Sequence, residues 1–157
     1  ADGEFDIGAH IGAGQNNKFY VAPMMYGTDS AYTVTDQGKI TSVTTGAFYI
    51  YFWVNLPVDL GQKSLHIDGI DINIIDADST DYISTTEAVW VTTSGSSVST
   101  SSSNRNTTSY NVDGNFQINF TAKNMTGVIQ AGVRIAIQSQ TAGDFDCWMP
   151  RIRCYYA

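Results

Sequence analysis

Apolar and polar residues alternate with a period of two along most of this chain, the repeat of a strand with one face in a core and one in water. The cleanest set is Ile129, Ala131, Val133, Ile135 and Ile137, set against Gln130, Arg134 and Gln138. Similar alternation predicts strands over 18–25, 31–35, 39–43, 81–93 and 116–120, with turn residues at 27–30 and a hairpin turn at Asp36-Gln37-Gly38. Leu65 and Ile67 lie on one phase and Ile70, Ile72 and Ile74 on the other, so one extra residue at Asp68-Gly69, a β-bulge, is needed to keep a single apolar face. Phe145, Cys147 and Met149 give way in the same manner to Ile152, Cys154 and Tyr156 across Pro150, which cannot donate to a ladder and belongs at an edge, bulge or turn.

One stretch has no polar face. Over 47–56, Phe48, Ile50, Phe52 and Val54 fall on one side and Tyr49, Tyr51 and Trp53 on the other. The first set suits a core. The second calls for a partner chain, an overlying loop or a ligand. By contrast, the run between Thr92 and Ser109 is mostly Ser and Thr and cannot fill a core, which predicts a long exposed hairpin or loop, or strands with polar faces. At the start, Phe5, Ile7, Ala9 and Ile11 alternate with Glu4, Asp6, Gly8 and His10, an extended arm or linker over 1–17 ahead of a domain over 18–157.

Composition narrows the fold further. Thirteen of the fifteen acidic residues are Asp, which favours turns, and only Glu4 and Glu87 are Glu. With 14 Gly, nine Tyr and no helical apolar periodicity, the expected class is all-β. A chain of 157 residues suits one domain, which would bury about 70% of its unfolded surface. Eight or more strands in it predict a single-domain antiparallel β-sandwich, jelly-roll-like, with an N-terminal arm.

A net charge of -7 with eight Lys plus Arg argues against nucleic acid, whose binding depends on basic patches. No apolar run approaches the roughly 20 residues of a membrane span, and no leader pattern stands at Ala1, whose position without Met implies a processed chain or a fragment. Catalysis finds little support: neither His10 nor His66 belongs to a metal-ligand pair, and no G-x-S-x-G is present. Asp76, Asp78 and Asp81 lie within six residues at a strand junction. They are plainly suited to capping the turn themselves, and alternatively to supplying oxygen ligands for calcium. Cys147 and Cys154 are either two small buried hydrophobes or, if the chain reverses near Pro150, a disulfide. Asn106, Asn119 and Asn124 open Asn-x-Ser/Thr triplets that would matter in a glycosylating secretory pathway. Tyr49, Tyr51 and Trp53 recur at about 7 Å, a spacing for a subunit contact or for a glycan-stacking platform.

Phe5-Asp6-Ile7-Gly8-Ala9-His10 resembles short segments of bacteriophage tail-fibre and virion appendage proteins that join a shaft to receptor-binding heads. Leu56-Pro57, then Ile67-Asp68-Gly69-Ile70 and the closing Arg151-Ile152-Arg153-Cys154-Tyr155-Tyr156 are similar to β-sandwich head domains on such fibres. The resemblance implies a non-enzymatic structural and attachment domain, self-assembled as a homotrimer on a virion or extracellular surface and exposed to a host glycan or protein. It identifies no binding residue. The chain lacks a long glycine-rich or coiled-coil shaft, which leaves two alternatives: a subunit of a secreted filament or sheath, and a carbohydrate-binding module or lectin.

Overall fold

The computed structural model describes residues 18–25, 29–95 and 97–157. The arm expected over 1–17 and residues 27 and 28 of the turn expected at 27–30 lie outside the described residues. The strands are β1 (Phe19–Val21), β2 (Tyr32–Val34), β3 (Lys39–Ser42), β4 (Gly46–Val54), β5 (Asp59–Leu60), β6 (Lys63–Asp76), β7 (Tyr82–Thr92), β8 (Ser99–Asn106), β9 (Gly114–Asn124), β10 (Val128–Ser139), β11 (Asp146–Trp148) and β12 (Arg151–Tyr156). No helix occurs among the described residues, and every pairing between strands is antiparallel.

Two sheets pack face to face as a β-sandwich. The larger runs β1-β12-β6-β11-β3-β2, with β5 and β9 also pairing with β6; the smaller runs β4-β10-β7-β8. Between them lies one continuous core, fed by Ile50 and Phe52 of β4, Val133 and Ile135 of β10, Ile70, Ile72 and Ile74 of β6, and Ile118 of β9. Phe52 is fully buried, as the alternation of β4 requires.

β6 is the longest strand, at 14 residues. Its ladders with β12 and β9 both slip at Asp68, the bulge that the phase change in the sequence demands. Leu65 and Ile67 before the slip, and Ile70 and Ile72 after it, all face the core. The second phase change is resolved by a break: β11 ends at Trp148, Pro150 is buried in the connection, and β12 resumes with Ile152 and Cys154 facing inward.

Two expectations are corrected or sharpened. The alternation puts Ile129 in the inward set of β10, yet it is 63% exposed while Val128 is buried. The β7 and β10 ladder shifts register between Val128 and Gln130, so a bulge at Ile129 turns that side chain outward. The Ser/Thr run, for its part, does form a polar strand, β8, and its amides work between the sheets. Asn104 is buried and donates to Thr121 O (2.7 Å) and Ala122 O (3.1 Å) of β9, and Asn106 donates to Asn119 O at 2.8 Å. Side-chain amides thus supply the β8 to β9 bonds where no backbone ladder is present, which satisfies carbonyls that would otherwise be orphaned.

Phe52→Ala should cost about 3 to 5 kcal/mol in urea unfolding, as truncation of a large core side chain does. Ile129→Thr, at an outward bulge, should stay within about 0.5 kcal/mol of the parent. A large loss at Ile129 would place that side chain in the core after all.

Candidate functional site

The outer face of the smaller sheet carries a row of polar and aromatic groups that crosses all four strands. Backbone register sets Tyr51 of β4 opposite Arg134 of β10, Arg134 opposite Glu87 of β7, and Glu87 opposite Arg105 of β8. The side chains join along the same line. Glu87 Oε1 accepts from Arg134 Nε (2.6 Å), Glu87 Oε2 accepts from Arg105 Nε (2.7 Å), and Arg134 Nη1 donates to the Tyr51 hydroxyl at 3.0 Å. Glu87 is only 1% exposed although it points away from the core. Two guanidinium groups balance that carboxylate, the arrangement a desolvated charge needs. Partial burial disfavours the charged Arg134, but the Tyr51 hydroxyl and Glu87 outweigh it and hold the guanidinium above its ordinary range.

Tyr49, Tyr51 and Trp53 do share this face, as the strand period predicts. Their rings are taken up by one another: Tyr51 stacks on Trp53 at 6.1 Å and 12°, and Tyr49 tilts against Tyr51 at 6.4 Å. Arg134 lies 4.0 Å from the Tyr49 ring centroid and 5.8 Å from that of Tyr51. Trp53 is buried, lying over Gly132, where a Cβ would sit 3.0 Å from Trp53 Cε3 and collide with the Phe52 carbonyl oxygen. The stripe is therefore closed at the Trp53 end and open at Tyr49, which is 46% exposed.

β4 is also the end strand of its sheet. Met24 and Trp53 exchange two backbone hydrogen bonds of 2.8 Å, so the edge is capped at that point. Successive residues turn their backbone groups to alternate edges, so Tyr51 and Tyr49 direct their N–H and C=O the same way as Trp53, away from β10. Among the described residues, no strand covers that part of the edge.

Of the three aspartates weighed for calcium, Asp78 and Asp81 cap the turn. Asp78 Oδ1 accepts from Thr80 N (2.6 Å), Thr80 Oγ1 (2.7 Å) and Asp81 N (2.8 Å), a self-capped turn, and the donation from Thr80 above all holds its carboxyl below the ordinary value. Asp81 is buried, its Oδ1 accepting from Ser139 Oγ, Gln140 N and Thr141 N while Oδ2 accepts from Thr80 Oγ1. Burial pushes the Asp81 carboxyl up, but these donors prevail and hold it low. Asp76 is shifted upward, by desolvation first and then by Asp113, Asp144, Asp146 and Asp78. Among the described residues, no three His, Cys, Asp or Glu side chains are placed to hold a metal ion.

Cys147 and Cys154 are unbridged and buried. Burial raises both thiols, that of Cys154 to about 12, which keeps them protonated and poor nucleophiles. His66 stacks on Tyr155 at 4.9 Å, with Nδ1 3.0 Å from Ser64 O. Of the Asn-x-Ser/Thr sites, Asn106 is tied to Asn119 O, Asn119 Oδ1 accepts from Arg153, and Asn124 Oδ1 accepts from Thr126 N and Oγ1.

Sequence reasoning missed the charge row. Arg134 was visible only as a polar member of an alternating strand, and Glu87 only as a rare Glu. Their pairing depends on which strands are neighbours. A second buried cluster was equally hidden: Arg153 donates to Asp68 Oδ1 (2.7 Å) and to Asn119 Oδ1, and Lys18 lies 2.6 Å from Asp68 Oδ2. Gly69 makes room for it, because a Cβ there would sit 2.6 Å from Arg153 Nη2.

No protein family, curated protein or solved structure matches this chain. No helix of the described residues is long and apolar enough to cross a membrane.

Glu87→Ala should destabilise the fold by about 1 to 3 kcal/mol in denaturant, because it leaves the guanidinium groups of Arg134 and Arg105 side by side without their shared carboxylate. An acid titration checks Asp81. Unfolded Asp titrates near pH ~3.9, and the folded group lies lower, so its stabilisation is complete above that value and disappears as pH falls through the folded value. Melting curves of Asp81→Asn should be lower at neutral pH and show a shallower acid limb than the parent.

Proposed function

We propose that this chain is a non-enzymatic structural and attachment domain of a virion tail fibre or similar appendage, which self-assembles, with a homotrimer favoured, and is exposed for contact with a host surface. The reading is supported above all by the open stretch of β4. There an exposed tyrosine and unpaired backbone donors and acceptors occur on the same residues, in the arrangement that strand addition by another chain uses. The Met24 to Trp53 pairing is an example of that geometry within the chain. A partner's alternating arm, over 3–14, suits the neighbouring stretch from Gly46 to Tyr51.

The titratable groups fit this reading. Glu87, Asp68 and Asp81 are held in ion pairs or turn caps, and the thiols are sealed. Such groups give rigidity to a sandwich and leave little for acid, base or nucleophilic chemistry.

Native mass measurement tests the proposal directly. The full chain should form a closed oligomer, and both removal of residues 1–14 and Tyr49→Lys should shift it to monomer. Lysine is expected to act through the edge, where a charged side chain opposes strand addition, with a smaller effect on the melting temperature of the subunit because Tyr49 is about half exposed. An open polymer would instead favour the filament subunit, and a monomeric parent chain would end the assembly reading.

A further inference from the structure

The outer face of the larger sheet holds a groove of about 460 Å³, lined among others by Asp71, Asn73, Asn115, Gln117, Trp148 and Arg151. This volume falls within the roughly 300–1,000 Å³ of small-molecule sites. The register brings its residues together from four strands. Asn73 of β6 faces Asn115 of β9, Asp71 faces Gln117 on one side and Arg151 of β12 on the other, and Trp148 ends β11 beside them. We propose that this groove is a binding site for a neutral saccharide, the contact through which the attachment domain proposed above recognises a surface glycan.

Three features of the lining carry the inference. Trp148 is 38% exposed beside the polar side chains of Asp71, Asn73, Asn115 and Gln117, and an indole at that position offers a flat apolar surface to the C–H face of a pyranose ring. The amides have capacity to spare. Asn73 Nδ2 donates to Asn115 Oδ1 at 2.8 Å and Gln117 Nε2 donates to the Tyr20 hydroxyl at 3.3 Å, which leaves Asn73 Oδ1, Asn115 Nδ2 and Gln117 Oε1 without partners among the described residues. Acceptors and a donor spaced along a sheet match hydroxyl groups, each of which both donates and accepts.

The charged pair completes the set. Asp71 Oδ2 meets Arg151 Nη2 at a long 3.3 Å, and Asp71 Oδ1 is buried with no partner. Arg151 is 64% exposed along its side chain and lies 4.7 Å from the Tyr20 ring centroid, so a small movement of it would open the carboxylate to a sugar hydroxyl. One carboxylate and one guanidinium leave the groove with no net charge. Together with the chain's charge of -7, this selects neutral sugars over sialylated or uronic-acid glycans.

The test is an array of immobilised neutral and acidic oligosaccharides probed with the full chain, the Trp148→Ala variant and the Asn115→Ala variant, with native mass and melting curves recorded for each. The parent should bind one or more neutral glycans, and Trp148→Ala and Asn115→Ala should each weaken that binding about tenfold or more, with mass and melting temperature unchanged. Absence of binding, binding to acidic glycans alone, or binding that survives both substitutions would overturn the site. So would a fall in native mass in Trp148→Ala, since that would make the groove a contact between copies. The two proposals fail separately: a parent that assembles but gives no groove-dependent signal loses only the site, and a monomer that binds neutral sugar through Trp148 loses only the assembly.

Discussion

β6 hydrogen-bonds to β5, β9, β11 and β12, so the larger sheet depends on one long strand holding its phase against several neighbours. A 14-residue strand with strict alternation could not present both Ile67 and Ile70 to the core. The bulge at Asp68 resolves this, but it leaves a carboxylate and irregular backbone inside the sheet. Arg153 answers both, donating through Nε to the carboxylate and through Nη2 to the Asp68 carbonyl at 3.2 Å. Gly69 leaves the space in which that guanidinium lies. Because the pair is buried on both sides, its worth is in fixing where the phase changes; the net stability of such pairs is often small, and losing one partner is costly.

The smaller sheet uses a related device on its exposed side. A sandwich needs its inner faces apolar, and the outer faces are left to other constraints. Here Tyr51, Arg134, Glu87 and Arg105 tie four strands together across the outside, while Trp53 lies over Gly132 and shields the sheet at one end. The consequence reaches function. With the rings of the stripe stacked on each other and beneath Arg134, the apolar outer side of β4 is largely satisfied within the chain, and what remains open is Tyr49 and the backbone edge next to it. The larger sheet differs, because Trp148 and the amides of Asn73, Asn115 and Gln117 retain unfilled contacts around a groove. What stays open thus differs between the sheets: a backbone edge on one, a groove of side-chain donors and acceptors on the other.

Period and turn chemistry in the sequence were enough to determine the all-β class, the positions of most strands, the core face of β4 and the bulge at Asp68, since these depend on residues close in the chain. The Asp76 to Asp81 segment was also legible as a turn, because Asp78 caps donors only two and three residues away. Ile129 was misplaced for a local reason: a bulge inside an unbroken apolar pair, Val128 and Ile129, leaves either residue free to point inward, and only the partner strand β7 chooses. The partners of Glu87, the stacking of Trp53 over Gly132, the use of Asn104 as a bridge between β8 and β9, and the meeting of Trp148 with Asp71 and Asn115 were decided by the tertiary structure alone. Each joins residues from strands distant in sequence, and hydrophobic periodicity states which way a side chain points without stating which strand lies beside it.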